Sequence, residues 1–138
     1  MSFLIGKITK GRGAATFDAL RGMEDDFRLD QGIPLSKGWP SDAYFRMSDN
    51  FPKDVLLEDF LFTGNSSLVA SDRLKALLEA EKVPGVEYLP VTLVNHKGRK
   101  EKAPYFIVNC IAHQDCIDLE KTKARRNVIN SAIFSRVR

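Results

Sequence analysis

The stretch from Leu61 to Pro90 constrains the fold more than any other. It reads LFTGNSSLVASDRLKALLEAEKVPGVEYLP. Leu68-Val69-Ala70 is an apolar run of the kind that ends a strand. Ser71 then stands where a helix N-cap belongs, and Asp72 falls in the first turn, where the helix dipole favours an acid. Leu74, Leu77 and Leu78 follow at i, i+3 and i+4, which predicts one buried helix face. Arg73, Lys75, Glu79, Glu81 and Lys82 would cover the other face. Pro84-Gly85 stops the helix in a turn. Val86 to Val94 reads as a strand with Leu89, Val91 and Leu93 on one face. Pro90 cannot donate to a ladder, so this strand is expected to be an edge or to bulge there.

The rest of the chain is arranged around that unit. Phe3 to Ile8 suits a first strand, and Phe17 to Asp30 a loop with a short helix. Gly11-Arg12-Gly13 lacks the Lys-Ser/Thr pair that a phosphate loop needs, which excludes that motif. Trp39, between Gly38 and Pro40, reads as a plug under a loop. Ala43 to Met47 suits a short strand with Tyr44 and Phe45 on opposite faces. Asp54 is placed to cap a short helix burying Val55, Leu56, Phe60 and Leu61. Asn95 to Lys102, NHKGRKEK, is a polar hairpin loop leading to Tyr105–Ile111, whose nearly continuous apolar run predicts a central strand covered on both faces. The expected fold is α+β: a single domain over 1–138, with a mostly antiparallel or mixed sheet and one main packed helix at about Ser71–Lys82. Residues 121–138 form a basic C-terminal segment in which Val128-Ile129 and Ala132-Ile133-Phe134 suit a last strand or helix.

Four stretches also resemble a known family. VASDRLKALLEAEKVPGVEYLPV (Val69 to Val91) is similar to the core signature of a bacterial polymorphic-toxin immunity protein family, a former domain of unknown function typified by a myxobacterial protein. PLSKGWPSDAYFRM (Pro34 to Met47), NFPKDVLLEDFL (Asn50 to Leu61) and PYFIVNCIAHQDCIDLEKT (Pro104 to Thr122) resemble further parts of it, in the same order. The family pattern continues with a strand–helix unit beyond the region of Ile133, whereas this sequence stops at Arg138. The resemblance implies an immunity protein that binds and neutralises a cognate toxin domain by steric blockade, without catalysis and without a cofactor.

Composition sets limits on the alternatives. At 138 residues, 43% hydrophobic and 28% charged, the chain has the makeup of an ordinary globular domain. It has no apolar run long enough to span a membrane and no basic n-region of a signal peptide, so a cytoplasmic protein with reduced thiols is expected. A net charge of +3 argues against an acidic nucleic-acid mimic. Lys121, Lys123, Arg125, Arg126, Arg136 and Arg138 outnumber Glu120 near the end, but no nucleic-acid recognition motif accompanies them.

Few groups could carry chemistry. Cys110, His113 and Cys116 lie at C-x2-H-x2-C spacing, yet a structural zinc needs a fourth ligand, and His96 belongs to a distant loop. The favoured reading is a buried Cys110, an exposed His113, a packed Cys116 and no metal. Asp115, His113 and Asp118 are the residues a small cytoplasmic enzyme would use; as ordinary residues the two acids cap a turn or helix. A third reading is a structural or regulatory module that binds a partner, or a second copy of itself, through an exposed edge strand. For partner binding, the candidate anchors by residue type are Trp39, Tyr44, Phe45, Tyr88 and Arg99. Elemental analysis of protein purified without chelator should therefore find no stoichiometric zinc. One zinc per chain, lost in Cys110→Ser, would overturn that expectation.

Overall fold

The computed structural model describes residues 9–65 and 67–112, together with two strands at 124–126 and 134–137. Six strands form one mixed sheet. They are β1 (Thr16–Phe17), β2 (Tyr44–Arg46), β3 (Phe60–Thr63), β4 (Val69–Ser71), β5 (Val86–Val94) and β6 (Tyr105–Cys110), in the order β1-β3-β4-β6-β5-β2. The inner pairs are antiparallel, whereas β1 on β3 and β2 on β5 are parallel. One helix, α1 (Asp72–Ala80), joins β4 to β5, and a 3-10 helix spans Asp26–Gln31. β7 (Ala124–Arg126) and β8 (Phe134–Val137) pair antiparallel as a separate two-stranded sheet. The fold is α+β, as expected. The first-strand assignment at Phe3–Ile8 and the region Val128–Ile133 fall outside the described residues. No described helix is long and apolar enough to cross a membrane.

The two end strands of the sheet meet. Phe17 bridges Met47 in antiparallel fashion, Asp18 N donates to Arg46 O at 2.9 Å, and Ser48 N donates to Thr16 O at 2.8 Å. A little further on, Arg21 and Tyr44 exchange two backbone hydrogen bonds of 2.9 and 3.0 Å. The sheet thereby curls towards a barrel. Within the six-stranded sheet, this closure pairs the two end strands with each other over Thr16–Arg21 and Tyr44–Ser48. Strand alternation points Phe17, Phe45, Leu61, Val69, Leu89, Leu93 and Ile107 into the interior, each with 2% of its surface exposed or less.

The organising unit forms where the sequence places it. Ser71 Oγ accepts from Leu74 N at 3.1 Å and donates to Asp59 Oδ1 at 2.6 Å, so the helix cap is also tied to the chain before β3. Hydrogen bonds from Ser71, and then from Arg73, hold the Asp59 carboxyl below its ordinary range. The face that α1 turns to the sheet differs from the expected one. Leu74, Lys75 and Leu78 are half-buried, whereas Leu77 is 56% exposed. The cause is Lys75, whose ammonium lies 4.8 Å from the Phe106 ring and 5.4 Å from the Tyr88 ring. Its alkyl stem fills the place a leucine would take.

Two further expectations change and one holds. β5 pairs with β6 over Val86–Val91 but with β2 only over Thr92–Val94, so at Pro90 its outer side has no strand partner, as expected of an edge there. There Trp39 Nε1 donates to Pro90 O at 2.8 Å. β6 is central but closely covered on one face only: Tyr105, Ile107 and Asn109 are buried, while Phe106 and Val108 are half-buried. The residues after Asp54 form no helix. Val55 N and Leu56 N both donate to Gly13 O, so this segment pairs with the chain before β1, leaving Val55 and Leu56 53% and 59% exposed and Phe60 37% exposed.

A polar pair lies at one end of the interior. Asn109 Nδ2 donates to Ile33 O at 2.9 Å and to Glu87 Oε1 at 2.7 Å, and Glu87 also accepts from Leu35 N and Ser36 N. Desolvation raises the affinity of Glu87 for its proton, but the hydrogen bonds from Leu35, Asn109 and Ser36 outweigh it, and the carboxyl sits below its ordinary 4.5. As pH falls, the unfolded chain takes up this proton before the folded one does. The stabilisation is present above about pH 4.5 and is lost as pH drops through the lower folded value. Glu87→Gln should therefore cost about 1–2 kcal/mol at neutral pH and flatten the acid limb of a stability–pH curve. An acid limb identical to wild type would refute this role.

Candidate partner-binding surface

The hairpin between β5 and β6 is built by Asn95. Its Oδ1 accepts from Lys97 N at 3.0 Å and Arg99 N at 3.1 Å, its backbone N donates to Arg99 O at 2.9 Å, and Gly98 N donates back to Asn95 O at 2.9 Å. Gly98 has φ 74°, a left-handed conformation that a side chain would strain. The same asparagine uses its Nδ2 to hold Glu101 Oε1 at 3.0 Å. Lys97, Arg99, Lys100 and Lys102 all stay exposed around it.

Beside this hairpin, on the outer face of β2 and β5, lies an open cavity of about 440 Å³. Arg21, Asp42, Tyr44, Arg46, Thr92 and Lys100 are among its walls. Arg46 pairs with Asp49 at 3.4 Å. Arg21 and Lys100 form no salt bridge among the described residues. A second feature lies around the sheet, on the outer face of β3. Phe60 and Phe62 are 37% and 44% exposed there, next to Leu68 at 38%. Across the strands Phe60 lines up with Ala70, Phe106 and Pro90, so an apolar row crosses this face, half of it under α1.

The residues singled out in the sequence divide between these places. Tyr44 is half-buried in the cavity wall, and Arg99 is exposed on the adjoining hairpin, so the structure brings these two regions together. Tyr88 is half-buried under Lys75 on the outer face of β5, where burial, and then nearby Glu79, push its hydroxyl up. Trp39 is half-buried against the core and fixed through its indole N–H, which fits the plug reading. Phe45 has 0% exposure and cannot touch a partner. On a strand this short, Tyr44 and Phe45 must point oppositely, and the barrel interior takes Phe45. Its truncation to alanine should cost about 3–5 kcal/mol of stability in a denaturant titration, the loss expected of a core aromatic.

The reactive-group expectations resolve only in part. Cys110 is exposed at the end of β6, not buried, because Tyr105, Ile107 and Asn109 take the inward register. His113, Asp115, Cys116 and Asp118 lie outside the described residues. Among the described residues no three His, Cys, Asp or Glu side chains gather closely enough to hold a metal. His96 is half-buried, with Nε2 3.3 Å from Asp54 O and Nδ1 3.9 Å from Asp49 Oδ1. Sequence reading missed the cavity, because Arg21 and Lys100 are far apart in the chain and only the curl of the sheet makes them neighbours.

Comparison with known proteins adds the decisive finding. No curated protein matches the chain. The family model of the Imm11 immunity proteins matches residues 11–137, which takes in every strand of the six-stranded sheet, the helix and the cavity. The chain belongs to the immunity protein family Imm11.

Proposed function

We propose that this chain is the immunity protein of a bacterial polymorphic toxin system, one that binds a cognate toxin domain in the cytoplasm and blocks it sterically. The family match across nearly the whole sheet and helix carries this reading. The shape of the molecule agrees with it. The interior is filled with side chains, and the polar groups that stand out are presented outward on a hairpin and an open cavity. Such a surface suits recognition of a large partner, for which an interface of about 800 Å² per side is typical. Tyr44 and Arg99 are the proposed contacts, being an aromatic and an arginine on rigid, paired backbone. Protection then rests on affinity and needs no catalytic group.

Co-expression with the toxin domain encoded beside the gene tests this. An inhibitor that binds one to one should protect in proportion to dose and saturate when the two are equimolar. Loss of a single anchor should cost about 2 kcal/mol, roughly thirty-fold in affinity. Full protection at a small fraction of the toxin concentration would mean turnover and would reject the binding reading.

A further inference from the structure

We infer that the cavity beside the β5–β6 hairpin is a receptor for acidic side chains, and that the face of the toxin domain it takes is acidic. This rests on the immunity reading for the partner, but the cavity's chemistry stands on its own geometry.

Three observations carry it. First, the cations outnumber the acids on the hairpin. NHKGRKEK holds Lys97, Arg99, Lys100 and Lys102 against one acid, Glu101, and that acid is engaged by Asn95 Nδ2 at 3.0 Å. Second, the cations of the cavity are presented on rigid backbone. Arg21 is fixed by its two backbone hydrogen bonds to Tyr44, and Lys100 by its bridge to Val94, so their backbone is already ordered before any partner arrives. Third, Arg21 and Lys100 enter one cavity of about 440 Å³ together with Tyr44 and Thr92, which offer a hydroxyl each. That space suits one or two carboxylate side chains and their waters.

Asp42 lies in the same wall and repels any anion, a carboxylate included, so the attraction rests on the excess of Arg21, Arg46 and Lys100 over it. That excess suits a single carboxylate better than a continuous run of phosphates, and Asp42 can itself accept from a neighbouring donor on a protein. With one aromatic in the wall, the cavity also lacks a platform for stacking successive bases. A protein surface carrying Glu or Asp flanked by a hydrogen-bond donor fits all of these groups. Charge of this kind acts chiefly on the association rate and weakens with salt.

The test uses the full chain and two probes. A short glutamate-rich peptide, with a glutamine-rich peptide of equal length as control, is titrated while backbone amide resonances are followed. The amides of Tyr44, Thr92, Gly98 and Lys100 should shift saturably with the glutamate peptide alone. The shifts should vanish in an Arg21→Glu, Lys100→Glu double variant whose thermal midpoint is unchanged, and persist in Lys82→Glu, which alters a cation in the turn between α1 and β5. With the toxin domain, the double variant should associate about tenfold more slowly at low salt, with little change in dissociation. An Arg21→Gln, Lys100→Gln variant should fall between.

The outcomes separate the two ideas. One-to-one protection with an association rate untouched by charge reversal sinks the acidic-receptor inference and leaves the immunity reading standing. Saturable peptide binding at the cavity, with no capture of the toxin domain by wild type, sinks the immunity reading and the acidic toxin face with it, and leaves the cavity as a receptor for acidic side chains. Tighter binding of a single-stranded oligonucleotide than of the glutamate peptide, at the same amides, would also overturn the inference.

Discussion

Closure of the sheet is the constraint on which the other features depend. The segment from Thr16 to Arg21 lies between β3 and β2, giving hydrogen bonds to both sides. Without that closure the parallel strands β1 and β2 would be two short ends of an open sheet, and short end strands hold few bonds of their own. With it, Phe17, Phe45 and Met47 come together at the seam and are sealed from water. Burial of each such side chain contributes about 1.5–3 kcal/mol. The same seam sets Arg21 beside Tyr44 and so creates one wall of the cavity. Core and cavity wall are two sides of one piece of backbone.

Closure also explains what the helix does. A curled sheet supplies its own inner core, so α1 has no need to fill one. It lies on the outer face, with no fully buried residue, and touches β4 and β6. Lys75 is tolerated in the contact because its stem covers Phe106 and Tyr88 while its charge reaches Glu79 at 3.3 Å. The Pro84-Gly85 turn after the helix does more than end it. Gly85 O accepts from Ile111 N at 2.8 Å, and Gly85 has φ 64° with Ala112 packed against it, so a side chain there would collide. The turn thereby fixes where β6 ends.

Local signals in the sequence were legible and long-range ones were not. Ser71 as cap, β5 over Val86–Val94, and the inward set Leu89, Val91 and Leu93 all follow from spacing within a dozen residues. The family resemblance is equally visible in contiguous stretches. What failed depended on which partner a face meets. Leu77 obeys the helical spacing, yet the sheet meets the Lys75 side. Val55 and Leu56 look like a buried helix face, yet their backbone is taken by Gly13. Phe45 has the residue type of an anchor, and only the closure shows which way it points. The Glu87–Asn109 pair was within reach of strand parity: both occupy inward positions, Glu87 with Leu89 and Asn109 with Ile107, and two polar residues on one inward face of adjacent strands must satisfy one another.

The division of labour between these polar groups bears on how an immunity protein of this kind works. Glu87 and Asn109 turn their hydrogen bonds inward and hold the loop at Ile33 to Ser36. Asn95 does the opposite. It consumes the one acid and the free amides of the hairpin, so the lysines and Arg99 are left facing solvent with no partner on the hairpin itself. Cations held together in this way repel one another in the free protein, a cost that counterions relieve in part and a partner of opposite sign would relieve further. A surface arranged like that discriminates by charge as well as by shape, because a basic or neutral partner leaves the repulsion in place. If the hairpin meets the toxin domain, affinity for the right partner and indifference to others would arise from the same side chains, on the closed sheet beneath them.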